Sequence, residues 1–267
     1  MKPKILSMLL IVFFIAACTA NMPAPTLTPS PSPSPIPTDT PVPTSTPIPT
    51  PTQLPAVLIT SGDWVSPYVA LTFDMCQDPL YPAGFDAAVV DVLQRYGVSA
   101  TFFMGGDWMR THPEETKLLA ANPKFELGNH SWSHADFTQL SEEQIALEIE
   151  MTEDMLFQIT GKRSNLFRLP SGLYNEKTLQ IIAAHGFYTI QWDSVSGDPD
   201  PNFDAATILA EVQRTARKGS IIIMHGNGRG WHTAEALPLI IDYLTAKGYT
   251  LVTVSQLLGL ESLPPAQ

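Results

Sequence analysis

The chain has 267 residues, 44% of them hydrophobic, enough for one sizeable core-bearing domain. Its 26 acidic residues against 15 basic ones give a formal net charge of −11, which disfavours nucleic acid and other polyanionic partners. A monomer is expected.

Lys2 and Lys4 precede an uncharged apolar run from Ile5 to Ala17. That run suits a signal-peptide core and is too short for a membrane-spanning helix. Its end, Ile15-Ala16-Ala17-Cys18, resembles a bacterial lipoprotein signal, in which cleavage leaves Cys18 as a lipidated N-terminus. A plain secretory signal with an incidental cysteine is the alternative. Losing Lys2 and Lys4 would take the 15 bases to 13 and the charge to −13. From Met22 to Pro55 the chain is mostly Pro, Thr and Ser, with Asp39 its only charge. Such a tract cannot bury a core and reads as an extended stalk of up to roughly 100 Å at about 3.1 Å per residue. The expected organisation is a signal over 1–17, the lipidated cysteine and stalk over 18–55, and one catalytic domain over 56–267, held by lipid on the extracytoplasmic side of a membrane. With Cys18 lipidated, Cys76 is the one remaining thiol and no intrachain disulfide can form.

Beyond the stalk, at least seven short apolar runs alternate with amphipathic segments, the pattern of an α/β domain with a mainly parallel sheet. Ala56 to Thr60 opens as a strand, and Tyr68 to Phe73 is a firmer one ending at Asp74. Phe85 to Tyr96 has helical periodicity closed by Gly97. Ser99 to Met104 is the next strand, and a helical stretch runs from Trp108 to Ala121. Phe125 to Leu127 leads into Gly128-Asn129-His130-Ser131-Trp132-Ser133-His134. A helical turn there would put both imidazoles on one face, where neutral ring nitrogens can share a divalent cation. Ser141-Glu142-Glu143-Gln144 forms a capping box for a helix to Thr160, stopped by Gly161. Leu166-Phe167 ends at Arg168, and Asn175 caps a helix from Glu176 to His185 closed by Gly186. The strand Phe187 to Trp192 ends at Asp193. Asp204 caps a helix to Lys218 closed by Gly219, and Ser220 to Met224 is the most apolar strand, terminated by His225. A last helix, Ala234 to Lys247, ends at Gly248, and Thr250 to Val254 supplies the final strand.

Asp74, His130, Arg168, Asp193 and His225 each stand at the C-terminal end of an apolar run. In sheets built from strand-helix units that edge is where active sites assemble. Two histidines and an acid can hold a catalytic divalent metal with a position open for water. Asp74 then suits the general base, and His225 suits the group that protonates a leaving amine or stabilises the oxyanion. Such a set reads as amide or ester hydrolysis.

Thr72-Phe73-Asp74, His130-Ser131-Trp132-Ser133-His134, Arg168-Leu169-Pro170-Ser171-Gly172 and Ile221-Ile222-Ile223-Met224-His225 follow one another in order, with Ala100-Thr101-Phe102-Phe103 and the run from Glu235 to Leu251 beside them. Together they resemble the polysaccharide deacetylases of the NodB-homology type, carbohydrate esterase family 4, over about Tyr68 to Leu258. The resemblance implies a distorted (β/α) barrel of about seven parallel strands that removes N-acetyl or O-acetyl groups from cell-wall or chitin-like sugars. It also implies a divalent metal, zinc or else cobalt. By position it makes Asp74 the base, His225 the acid and His130 and His134 metal ligands, with Arg168 holding the base carboxylate and Asp198 orienting His225.

The chain departs from that pattern. The family's second aspartate, its third metal ligand, is replaced by Met75, and a thioether suits such a metal poorly. Asp78 and Cys76 are the replacements at hand, although strand alternation is expected to turn Cys76 into the core as a small hydrophobe. A glycan-binding barrel that has lost its metal is therefore the alternative to an active deacetylase. Pro199 and Gly226-Asn227 also differ from the family and bear on substrate preference. Of the tryptophans, Trp231 in the loop from Gly226 to Gly230 onward is the expected sugar-stacking residue. Trp108, Trp132 and Trp192 are assigned to packing, His232 to a solvated loop, and His112 and His185 to helix ends.

Overall fold

The computed structural model describes residues 54–77 and 83–261. The expected export signal, Cys18, the stalk up to residue 53 and Asp78 lie outside the described residues.

Local sequence sets most element boundaries. The chain runs through β1 (Leu58–Ile59), β2 (Tyr68–Met75), α1 (Ala87–Tyr96), β3 (Ala100–Met104), α2 (Gly106–Thr111), α3 (Pro113–Ala121) and β4 (Phe125–Asn129). It continues through α4 (Glu142–Thr160), β5 (Leu166–Phe167), α5 (Glu176–Ala184), β6 (Tyr188–Ile190), β7 (Ser194–Val195), α6 (Ala205–Thr215), β8 (Ile221–His225), α7 (Thr233–Ala246), β9 (Thr250–Leu251) and α8 (Val254–Leu257). Ser141 and Gln144 close the expected capping box of α4. Asp86, Asn175 and Asp204 each accept backbone N–H groups at the starts of α1, α5 and α6.

Two expectations are corrected, and the loop between the histidines takes its own course. The helical stretch from Trp108 to Ala121 is two helices meeting at His112, because Pro113 lacks an N–H and suits only a first helical turn. The last strand is Thr250–Leu251 alone, and Val254–Leu257 is a helix capped by Thr253 and Gln256. His130 to His134 is not helical. Ser131 at φ 64° and His134 at φ 59° fold it into a tight loop.

The strands form one parallel sheet in the order β1-β6-β5-β4-β3-β2-β8-β7, with β9 paired to the start of β2. It curls into a half-barrel flanked by helices, so the expected barrel class holds, with nine strands among the described residues where about seven were expected. Alternation divides the side chains by face. Leu71, Phe73 and Met75 of β2, with Phe102, Met104, Ile222 and Met224, pack outward against α1, α2, α6 and α7. Ala70, Phe103, Leu166, Ile190 and Ile221 face inward, and Val254 and Leu257 of α8 plug the concave side. Close packing here requires Gly128, where a Cβ would stand 2.7 Å from the Phe103 ring. Burying so many aliphatic and aromatic side chains, at about 1.5–3 kcal/mol each, is what offsets the ordering of the chain.

Candidate active site

Strand register builds the site. Asp74 pairs with His225 across β2 and β8, Met75 with Met104 across β2 and β3, Met104 with Asn129 across β3 and β4, and Asn129 with Phe167 across β4 and β5. His130 and Arg168 each follow the last of these partners by one residue. Asp74, His130, Arg168 and His225 therefore share one rim, as the sequence predicted.

Asp193 does not join them. The sequence places it at the end of a strand, but β7 begins directly after it, and Ser194 pairs with Ile222 near the start of β8. Asp193 therefore sits at the opposite end, accepting from Ile221 N at 3.0 Å and Ser220 Oγ at 3.2 Å and facing Arg217 at 3.3 Å. Asp198, three residues past β7, reaches the rim in its place.

Arg168 is fully buried. Its Nη1 donates to Asp74 Oδ1 at 2.8 Å and Thr72 Oγ1 at 2.9 Å, and its Nη2 donates to the Gln191 carbonyl at 3.3 Å. The guanidinium lies 4.0 Å from the centre of the Phe103 ring, which fixes its plane. Burial alone would raise the Asp74 pKa, but the charge and hydrogen bond of Arg168, with the charge of His225, hold the carboxyl below its usual range. Asp74 is thus an ionised carboxylate with Oδ2 turned toward His130 Nε2 at 3.5 Å.

His130 is 1% exposed, and its Nδ1 lies 2.9 Å from the Arg168 carbonyl. A carbonyl only accepts, so Nδ1 carries the proton and, in the neutral ring, Nε2 presents a lone pair. Burial is the main cause lowering the His130 pKa, which keeps the ring neutral. Its Nε2 has no hydrogen-bond partner. Two acceptors, Nε2 and the Asp74 carboxylate, therefore face one another in a buried site, an arrangement that a cation satisfies. His134 stands beside His130 with ring centres 5.1 Å apart. Its backbone N–H donates to Ser131 Oγ, while Ser133 is held by Glu148 at 2.8 and 2.6 Å. Cys76 is buried, as expected, but not as part of the outer core. Its Sγ and a ring nitrogen of each of His130 and His134 lie within 4.8 Å of one another. Two imidazoles and a thiol are a donor set that fits zinc.

Across the site, His225 Nδ1 lies 3.0 Å from Asp198 Oδ1. Asp198 is 1% exposed and also accepts from His225 N, Ser196 Oγ and Thr233 Oγ1 at 2.7, 2.9 and 2.6 Å. Burial would lower the His225 pKa, but Asp198, by charge and hydrogen bond, and Asp74 raise it above its ordinary value. The Nδ1 bond leaves His225 Nε2 for the cavity. That cavity, about 270 Å³, is lined by Asp74, His134, His225, Asp198, Trp192 and Arg229 among others, and by Ser171, a non-glycine residue at φ 54°. Trp192 thus walls the site as well as packing. Trp231 is 56% exposed, and its backbone N–H donates to the Asp198 carbonyl. Trp108 is fully buried. His232 bonds Glu235 at the surface, as a solvated loop residue would. Gln191, Thr233 and Glu148 carry no sequence signal of their own, because each acts through a partner distant in the chain.

Residues 62–190 match the family model described as polysaccharide deacetylase. A peptidoglycan-N-acetylglucosamine deacetylase of Bacillus cereus is 33% identical over 196 residues, covering 71% of this chain and 87% of that one. Among solved structures, the Bc1960 peptidoglycan N-acetylglucosamine deacetylase superposes with a TM-score of 0.70 at 28% identity, covering 76% of this chain and 92% of that one. BA3943 of Bacillus anthracis, a family 4 carbohydrate esterase pseudoenzyme, does so with a TM-score of 0.68 at 26% identity, covering 76% and 69%. A relative 33% identical and covered over 87% of its length, together with the matching barrel, shows that the chain belongs to the polysaccharide deacetylase family and is an enzyme of that family.

Proposed function

We propose that this enzyme removes acetyl groups, N-acetyl in preference to O-acetyl, from a peptidoglycan or chitin-like polysaccharide, with a divalent metal, zinc or cobalt, held by His130 and His134. The observation that carries this reading is the pairing of an ionised, Arg168-bound Asp74 with an Asp198-bound His225 across one cavity, next to the orphaned His130 Nε2. The peptidoglycan deacetylases among its relatives support the substrate class.

Bound there, a divalent metal supplies Lewis acidity that polarises the acetyl carbonyl and eases loss of a proton from water. Asp74 is the base. Its Oδ1 is engaged by Arg168, so Oδ2 takes the proton. His225 is the acid. Asp198 holds the Nδ1–H and stabilises the imidazolium, so Nε2 delivers a proton to the leaving amine. Trp192 and the cavity walls leave room for an acetamido group and part of a sugar ring.

We also propose export, with Cys18 lipidated and residues 18–55 acting as a stalk that lets the domain reach a polymer outside the membrane. The charged start, apolar run and Ala16-Ala17-Cys18 support this reading. Among the described residues no helix is long and apolar enough to cross a membrane. A Cys18→Ala chain is expected in the medium and the native chain in the membrane fraction.

Activity is tested by incubating the chain with zinc or cobalt and N-acetylated chitooligosaccharides or peptidoglycan and measuring acetate. Release that is abolished by a chelator and absent in Asp74→Asn is expected. No release above that variant across the panel overturns the reading, and metal-free protein that still retains glycan would establish the binding alternative instead.

A further inference from the structure

We infer that Cys76 is a metal ligand, making the centre a thiolate-imidazole site of Cys76, His130 and His134 in which sulfur takes the place of the family's second aspartate. The inference rests on the metal-dependent reading above and concerns which atoms of this chain hold the ion.

Direction comes first. Ala70, Thr72 and Asp74 of β2 point into the barrel, so residue 76 shares their parity, whereas Phe73 and Met75 point outward. Met75 is wholly buried in the outer core and cannot reach the site. The extended path continues past β2 because Gly105 N donates to the Met75 carbonyl at 2.8 Å. Glycine eases that approach: a Cβ at residue 105 would lie 3.0 Å from the Met75 carbonyl oxygen and 3.1 Å from Cys76 Cα, crowding the backbone. The parity that places Asp74 at the rim therefore carries Cys76 beside it.

The surroundings are those of a ligand. Cys76 is 2% exposed, with Sγ in the same 4.8 Å cluster as nitrogens of His130 and His134. Independently of the cysteine, His130 Nε2 is buried, without a hydrogen-bond partner, and held as an acceptor by the bond its other nitrogen makes to a carbonyl. A metal-ligating histidine is oriented in this way. Asn227, fully buried, donates from Nδ2 to the Cys76 carbonyl at 2.7 Å and lies 3.5 Å from Sγ, so an amide N–H faces the sulfur where negative charge would develop. The same Asn227 is one of the positions at which the chain departs from the family. On binding, the S–H bond breaks, its proton passes to solvent, and a sulfur-metal bond forms. A thiolate with two imidazoles selects zinc or cobalt over magnesium or calcium, which prefer oxygen shells.

The test uses the full chain, stripped with a chelator and reloaded with one equivalent of zinc or cobalt. X-ray absorption at the zinc edge is expected to show one sulfur neighbour at about 2.3 Å beside nitrogen neighbours at about 2.0–2.1 Å. The cobalt form is expected to show a thiolate-to-metal charge-transfer band in the near ultraviolet. Cys76→Ser should abolish both signals and weaken zinc by more than the roughly 10- to 100-fold that loss of an outer-shell partner costs. Cys76→Asp should recover zinc binding with no sulfur signal, showing that the fold survives change at this position. Asp78→Asn should leave the band unchanged. A shell of nitrogen and oxygen alone in the native chain, or a cobalt spectrum that Cys76→Ser leaves unaltered, overturns the inference. Sulfur-ligated metal without acetate release would uphold it and overturn the proposed activity. Acetate release from a sulfur-free centre would do the reverse.

Discussion

Replacing Arg168 by Met should expose how the base is kept charged. In the native protein Asp74 is 4% exposed and Arg168 not at all, and the pair meets at 2.8 Å. Methionine fills much of the space over Phe103 but leaves a buried carboxylate uncompensated, a change that costs about 3–5 kcal/mol at neutral pH. At about 2–4 °C per kcal/mol for a domain of this size, the melting temperature falls by roughly 6–20 °C. The pH dependence carries the sign. Native Asp74 has a lowered pKa, so its stabilising contribution is present above the ordinary carboxylate value, about 3.9, and is lost as pH falls through the folded-state pKa. In Arg168→Met, burial dominates and the Asp74 pKa rises, so the penalty is largest at neutral pH and shrinks as acid protonates the carboxyl. Urea denaturation of chelator-treated proteins at pH 7.5 and 5 measures both effects. The gap between native and variant should narrow at pH 5, and Asp74→Asn in the Arg168→Met background should recover about 1 kcal/mol or more. A loss below about 1 kcal/mol, or a gap that neither narrows with acid nor closes in the double variant, would refute the assignment of Arg168 as the partner that keeps Asp74 ionised.

Asp198→Asn should shift the alkaline limb of the kcat–pH profile to lower pH, since Asp198 is what holds His225 above its ordinary value against burial. The stability contributed by this pair is full below about pH 6.5 and lost as pH rises through the folded His225 pKa, so the variant's stability deficit should be largest in acid. His225→Ala should lower kcat by about 10²–10⁴, the range for loss of a general acid. Gly128→Ala places a Cβ 2.7 Å from the Phe103 ring that underlies Arg168, and should cost about 1–3 kcal/mol in urea denaturation. An unchanged midpoint would show that the ring is free to move.

Much of this molecule is local and therefore legible. Ser141, Asn175 and Asp204 announce their helices because a cap acts within three residues. Asp74, His130, Arg168 and His225 could be placed on one rim because each ends an apolar run, and parallel strands with helical crossovers bring such ends together. The misplaced residues share one cause. Asp193 looks like a strand end, but whether it ends one strand or precedes another depends on β7 pairing with β8, a contact made with residues far along the chain. The helical turn that would put His130 and His134 on one face does not form, for a related reason: Ser131 is held by Asn129, and Ser133 by Glu148 of α4.

By itself the sequence determined the α/β class and the order of the rim residues, through periodicity, caps and the spacing of strand ends, and its family resemblance marked the departure at Met75. The tertiary structure alone decided which side of β2 carries Cys76, that Met75 belongs to the outer core, and that Ser196 and Thr233 converge with His225 on Asp198. A sequence records what each residue can do at short range, whereas the partner of a buried charge or thiol is set by sheet curl and strand register, which join residues as far apart as Cys76 and Asn227.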